Sequence, residues 1–416
     1  MATAELILYV FLCAYVGSVL TSVFLEALNV RYLRGSEHLV PGPLEGFIDR
    51  EKLGLAREYT LERGRVQRLH AVTTDALLLA MVLLGAFHAA DGLLLDLGCG
   101  PVFSGWAIVL GTGCVFLFAG LPFDWYSTFV VEAKFGFNRM TVNAWIWDQV
   151  KGVILSAVLV TMVLIPLLWV VGRFPDTWWL WGFAAVSAFE LLLVVCYPVL
   201  IAPIFNRFDP LEDPSLAREV EDLVNRAGMK ARGIFRMDAG TRSSHSNAYF
   251  TGFGRTKRVV LFDTLLESHP KSEILAVVAH ELGHYKGRHV RWAFLLSESV
   301  MGAAFFFTYV IMGWDAFWSA FGLDAGRFHI GLMILAIFWS KLGIAFRPPT
   351  MAVSRMFERQ ADLYAAELLG TPEPMISALK RLARDNLANL FPHPVYVWFH
   401  YSHPPLCERI AALQEK

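Results

Sequence analysis

Residues Trp178–Ile204 read WWLWGFAAVSAFELLLVVCYPVLIAPI, 27 residues in which Glu190 is the single carboxylate or cationic side chain. As a helix rising 1.5 Å per residue this stretch covers about 40 Å, more than the ~30 Å hydrocarbon core of a bilayer. Six further apolar runs stand along the chain: Leu6–Leu25, His70–Ala90, Val102–Phe123, Gly152–Val171, Trp292–Trp314 and Ile330–Phe346. The last is short and contains Lys341. Leu6–Leu25 lacks the basic flank and small-residue cleavage site of a secretory signal, so it is read as a span. The fold class expected is an all-α polytopic membrane protein of seven spans.

Composition agrees. Of 416 residues 56% are hydrophobic and 18% charged, against about 45–50% and 25% in soluble domains. That excludes a disordered chain, a coiled coil and a nucleic-acid binder. The net charge of -1 argues for no anionic partner. Cys13, Cys99, Cys114, Cys196 and Cys407 form no CxxC, and they read as free thiols packed as small hydrophobes.

The basic residues orient the spans. Alternate connecting segments and the C-terminal tail hold eight, three, fourteen and eight Lys and Arg, whereas the segments between hold none, one and one. By the positive-inside rule the N-terminus is external and the C-terminus cytoplasmic. Asp75, Glu190, Glu298 and Lys341 fall inside the runs. Such groups face protein or water rather than lipid; a wet interior, or snorkelling of Asp75 and Lys341 at helix ends, would each accommodate them.

The chain then divides into 1–204, five spans with their loops; 205–291, a cytoplasmic segment; 292–346, two spans; and 347–416, a cytoplasmic C-terminal segment. Within the soluble parts, Ser215–Ala227 and Glu273–His289 show helical periodicity and Arg258–Phe262 reads as a short strand. Pro348-Pro349 should start a new helix after a kink, Gly370 should end it, and Thr371 should cap the next ahead of Pro372.

The strongest chemical signal is His280-Glu281-Leu282-Gly283-His284. On a helix, residues four apart share a face, so both imidazoles reach one metal ion and Glu281 stands beside it as a base. A catalytic zinc needs a third protein ligand and an open position. Glu358 is the candidate, with Asp362 one turn on, placed to orient a liganding histidine. Alone, these two acids would read equally well as partners of Arg355 and Arg359 on a solvated face; beside the histidine motif, the ligand reading is preferred.

These motifs sit among others. Ser243–Phe253 contains Asn247-Ala248-Tyr249-Phe250, Arg258–Leu265 follows, and Ser354–Asp362 carries Glu358. Tyr401–Arg409 contains His403-Pro404-Pro405, while Ala202–Phe208 and Phe135-Gly136-Phe137-Asn138 are weaker blocks. In this order they resemble the type I CAAX prenyl proteases, integral-membrane zinc endopeptidases. The resemblance implies one catalytic Zn2+ held by His280, His284 and Glu358, with Glu281 as general base and Asn247 and His403 around the scissile amide. It further implies that Arg409 braces the site or binds the substrate terminus, with Asp362 and Arg355 behind the ligands. A seven-helix barrel around a water-filled chamber is implied too, together with a peptide or prenylated protein substrate, a multi-pass location in a lipid bilayer and an active site on the cytoplasmic side. Ala133 and Phe135 depart from the family's polar residues in the Glu-Lys-x-Gly-Phe-Asn stretch. The compact chain and its Ala, Leu and Arg usage suggest a bacterial inner membrane, or the endoplasmic reticulum if eukaryotic. In the bacterial case, quality control of membrane proteins would replace prenyl-protein processing. A transporter with a structural metal, or an inactive scaffold, are the competing classes; three apparent ligands and an intact Glu281 argue against them.

Overall fold

The computed structural model describes residues 2–36, 42–251 and 258–415. The chain runs through α1 (Ala2–Gly35), α2 (Arg50–Leu83), α3 (Ala86–Asp96), α4 (Pro101–Tyr126), α5 (Val142–Arg173), α6 (Trp178–Cys196) and a single turn, α7 (Ala202–Phe205). There follow β1 (Phe208–Pro210), α8 (Pro214–Arg226), β2 (Gly233–Met237), β3 (Ala248–Thr251), β4 (Arg258–Phe262), α9 (Asp263–Ser268) and α10 (Lys271–Lys286). The chain then continues through α11 (His289–Met312), α12 (Asp315–Ala320), α13 (Phe328–Leu342), α14 (Arg347–Leu369), α15 (Glu373–Asp385), α16 (Pro394–His400) and α17 (Leu406–Gln414).

Seven helical stretches are long and apolar enough to cross a membrane, and they overlap the seven runs of the sequence. Their neighbours close a ring: α1 packs on α2, α2 on α4, α4 on α5, α5 on α6, α6 on α11, α11 on α13, and α13 on α1. The most apolar windows of α2 and α5 are only 0% and 6% buried within the protein. At one end α13 also touches α4 and α5. There Asp91 of α3, fully buried, accepts from Arg327 Nη1 at 2.8 Å and lies 2.7 Å from His329 Nε2. The opposite end carries the strongly basic segments.

The four charged residues of the spans are half-buried. Asp75 of α2 pairs with Lys341 of α13, whose ammonium stands 4.6 Å over the Tyr15 ring of α1. Glu190 of α6 and Glu298 of α11 lie on two helices packed together, and Glu298 accepts from Ser187. The Asp75–Lys341 pair ties α2 to α13, and there each charge's desolvation is offset by its partner.

Span limits shift where backbone chemistry intervenes. Gly85, at φ 67°, ends the second span before the predicted Ala90 and starts α3. Pro198 and Pro203 cannot continue the helical hydrogen bonds, and the sixth helix passes through a π-turn at Tyr197–Ile201. The kink expected at Pro348-Pro349 is a 3-10 turn, Gly343–Phe346, that leads straight into α14. Gly370, at φ 80°, ends α14 as expected, but Pro372 rather than Thr371 occupies the next N-cap position, without a side-chain hydrogen bond.

The single predicted strand, Arg258–Phe262, is β4 of a four-stranded sheet ordered β1-β2-β4-β3. β2 lies parallel to β4, and the other pairs are antiparallel. β1 and β3, at three and four residues, are too short for a period-2 pattern to register. The sheet packs with α8, α10, α14, α15 and α17 around one core that includes Val220, Leu261, Ile274, Leu282, Ala365, Leu379 and Leu413. α8 is fixed by Asp213, whose carboxylate accepts from Ser215 N at 2.8 Å and Leu216 N at 3.1 Å. All five cysteines are free.

Candidate active site

α10 places His280 and His284 one turn apart, and α14 lies directly against it. The approach is unusually close because both faces are small: a Cβ added at Gly283 would lie 2.8 Å from Ala361 Cα and 3.0 Å from its carbonyl oxygen. Glu358, on the same helix as Ala361, is thereby delivered to the two imidazoles. His280 Nε2 lies 3.2 Å from His284 Nε2 and 3.4 Å from Glu358 Oε2; His284 Nε2 lies 3.2 Å from Glu358 Oε1. Among the described residues this is the cluster of three His, Cys, Asp or Glu able to hold a metal ion.

Two features test whether an ion fits. Ligand atoms bonded tetrahedrally at ~2.0–2.1 Å stand about 3.3–3.4 Å apart, and the observed edges match. Glu358 Oε2 is also buried with no N–H aligned on it, although His403 Nδ1 is 2.6 Å away. Burial alone would lower His280, yet Asp362 and Glu358 override it and push its pKa up to about 9. The donors therefore suit a cation.

Behind the ligands, Arg409 donates to both oxygens of Asp362, from Nε at 2.8 Å and from Nη2 at 2.6 Å. Asp362 Oδ1 in turn stands 2.8 Å from His280 Nδ1, though not squarely in line with the N–H. Arg409 is thus engaged by Asp362, with its side chain 12% exposed. Arg355 has a different place from the one expected. It does not meet Asp362; its Nη1 donates to the carbonyls of Val397 at 3.0 Å and Tyr401 at 2.8 Å. It closes the C-terminal end of α16, the helix that leads into His403.

Glu281 faces the same cleft. Burial raises its pKa, His280 and His284 oppose the rise, and the Phe250 backbone N–H hydrogen-bonds the carboxylate. That N–H belongs to β3, the edge strand of the sheet. Asn247 stands just before β3, exposed, with its own Oδ1 accepting from Ala248 N at 2.8 Å; no described contact joins it to the metal cluster. Gly252 and Phe253 of the same motif lie outside the described residues. Phe137 and Ser244, from motifs far apart in sequence, join through Ser244 N donating to Phe137 O at 3.1 Å, and His245 stacks on Phe137 at 4.1 Å. The departure at Phe135 has its reason there: the ring is buried against Tyr59, 5.1 Å between centroids.

Two residues escaped the sequence reading. His289 Nδ1 lies 3.1 Å from His284 Nδ1, and His289 Nε2 lies 2.9 Å from Gln360 Oε1. The available signal was a third histidine five residues beyond the motif, but a helix continued through it would have carried it away from the metal face. Arg288, at φ 54°, breaks that helix and turns His289 back.

Comparison with known proteins agrees with this arrangement. Residues 29–207 match the family described as CAAX prenyl protease N-terminal, five membrane helices, and residues 210–416 match peptidase family M48. A CAAX prenyl protease 1 homolog of Arabidopsis thaliana is 35% identical over 383 residues, covering 90% of each chain. The Homo sapiens CAAX prenyl protease 1 homolog is 33% identical over 71% of this chain and 70% of its own. The crystal structure of S. mikatae Ste24p superposes with a TM-score of 0.87 at 30% identity, over 97% of this chain and 98% of that one. The chain therefore belongs to peptidase family M48, among the multi-pass membrane metallopeptidases of the CAAX prenyl protease 1 type.

Proposed function

We propose that this protein is a zinc endopeptidase that cuts peptide bonds at the cytoplasmic face of its membrane, with the C-terminal CAAX segments of prenylated proteins as its substrate class. The observation that carries it is Glu281, a largely buried carboxylate, beside a ligand triangle of tetrahedral dimensions. His280, His284 and Glu358 hold the ion, which when bound supplies Lewis acidity to the scissile carbonyl and the attacking water. The peptide adds as a strand along the free edge of β3, where main-chain hydrogen bonds set its register. Asn247, at the start of that edge, holds the substrate backbone. Glu281 takes the proton of the attacking water and passes it to the leaving amine. His403, 59% exposed at the mouth, donates to the oxygen on which negative charge develops. The excess of Lys and Arg at this end of the ring supports its reading as the cytoplasmic side. Purified protein with a farnesylated CAAX peptide and its unmodified counterpart tests the proposal by mass spectrometry of the products. Release of the C-terminal tripeptide from the farnesylated peptide by wild type, and not by Glu281→Gln, is expected. Equal cleavage of the unmodified peptide would transfer the substrate class to unmodified membrane peptides. Cleavage by Glu281→Gln would remove the mechanism.

A further inference from the structure

Both liganding imidazoles present Nε2 to the ion site, so each must carry its proton on Nδ1, and each Nδ1–H needs an acceptor. For His280 the neighbouring carboxylate is Asp362, 2.8 Å from Nδ1. For His284 the acceptor is His289, whose Nδ1 stands 3.1 Å away. His289 can accept there only if its own proton sits on Nε2, and Nε2 faces Gln360 Oε1 at 2.9 Å. The amide oxygen of Gln360 has no proton to give, so every tautomer in the chain is determined: Gln360 accepts from His289, His289 accepts from His284, and His284 Nε2 is left with a bare lone pair.

We infer that His289 and Gln360 form a positioning relay that holds His284 in its metal-binding tautomer and orientation. The surroundings of His289 fit that task. The ring is 3% exposed and lies flat on Phe357, with centroids 4.2 Å apart and planes 8° apart. Gly287 leaves the space it occupies: a Cβ there would come within 2.1 Å of His289 Nε2. Phe357, Glu358, Gln360 and Asp362 all belong to α14. One helix thus supplies the third ligand, orients His280 directly through Asp362, and orients His284 through His289. The two halves differ in charge, a carboxylate behind His280 and a neutral amide behind His284.

The relay rests on His284 being a ligand, and the test separates the two claims. Zinc affinity is measured by competition with a chromophoric chelator, and the melting temperature of the metal-free protein is measured alongside. His289→Phe keeps the stack on Phe357 but offers no acceptor; Gln360→Met removes the terminal acceptor from an exposed position; Gln360→Glu keeps it. Zinc binding about 10–100-fold weaker in the first two, near wild type in Gln360→Glu, and an unchanged metal-free melting temperature in Gln360→Met are expected. Should His289→Phe fail to fold, the Gln360 pair decides. Wild-type zinc affinity in Gln360→Met would overturn the relay while Glu358→Ala still loses the ion. Zinc retained by Glu358→Ala would overturn the ligand set beneath it.

Discussion

Gly283→Ala tests the contact on which the site's geometry depends. The added Cβ would sit 2.8 Å from Ala361 Cα, 3.0 Å from Ala361 O and 3.2 Å from Ala361 Cβ. Carbon atoms pack at ~3.5–4.0 Å, so α14 must withdraw by about 1 Å. Two of the three opposing atoms are backbone, so no rotamer change relieves the clash. Overpacking of this kind costs ~1–3 kcal/mol. The sharper effect falls on the ligands, because Glu358 rides on the withdrawn helix while His280 and His284 stay on α10. Metal–ligand distances tolerate about ±0.2 Å, so a shift of about 1 Å detaches the third ligand. Zinc affinity, measured by chelator competition, is expected to fall at least about tenfold, and peptide hydrolysis with it. Gly54→Ala, in α2 with nothing within 4 Å, is the control, expected to stabilise by ~0.5–1 kcal/mol through helix propensity. Wild-type zinc affinity and turnover in Gly283→Ala would refute the close-packing account.

Other consequences are as direct. Asp362→Asn and Arg409→Ala should each weaken zinc binding about 10–100-fold, whereas Arg355→Ala should leave zinc bound and raise KM, since it loosens the approach to His403; chelator titration and steady-state kinetics distinguish them. Arg381→Ala should lower stability by about 3 kcal/mol in thermal or denaturant unfolding, because Glu273, 2% exposed, loses the guanidinium that contacts it at 2.7 Å and 3.1 Å. Asp213 is held below the ordinary carboxylate range by its bond to Lys271, with the Leu216 amide adding to it. The sign is that of a depressed acid: its stabilising contribution is present above the unfolded-state value of about 3.9 and disappears as pH falls through its folded value. An acid melt of Asp213→Asn should therefore be flatter at that end than wild type.

The spanning helices were readable because lipid leaves only two solutions, helix or closed barrel, and a 20-residue apolar run specifies the first. The metal helix was readable because the i, i+4 spacing puts His280 and His284 on one face. Glu358 was harder: it lies 74 residues beyond His284, and only the pairing with Asp362 marked it. What escaped depends on how separate segments meet. Whether Asp75 and Lys341 are partners follows from the order of helices around the ring, which hydropathy does not contain. Arg355 lies on the same helix as Asp362, whereas Arg409 follows 47 residues later, and that the second rather than the first binds the carboxylate turns on the fold of α16 and the loop after it. His289 depends on one residue, Arg288, adopting a left-handed backbone that few side chains favour. β1 and β3 are too short to leave a pattern. Asn247 and His403 show the reverse case, singled out by resemblance while neither residue's own spacing marks it.

The most direct test of the central claim is metal-dependent hydrolysis read together with metal content. Wild type and Glu281→Gln are stripped with a chelator, reloaded with one equivalent of zinc, and offered the farnesylated peptide. Both proteins should bind one zinc, wild type should regain cleavage only on reloading, and Glu281→Gln should remain about 10²–10⁴-fold slower. Cleavage by the stripped wild-type protein, or undiminished cleavage by zinc-loaded Glu281→Gln, would contradict the account.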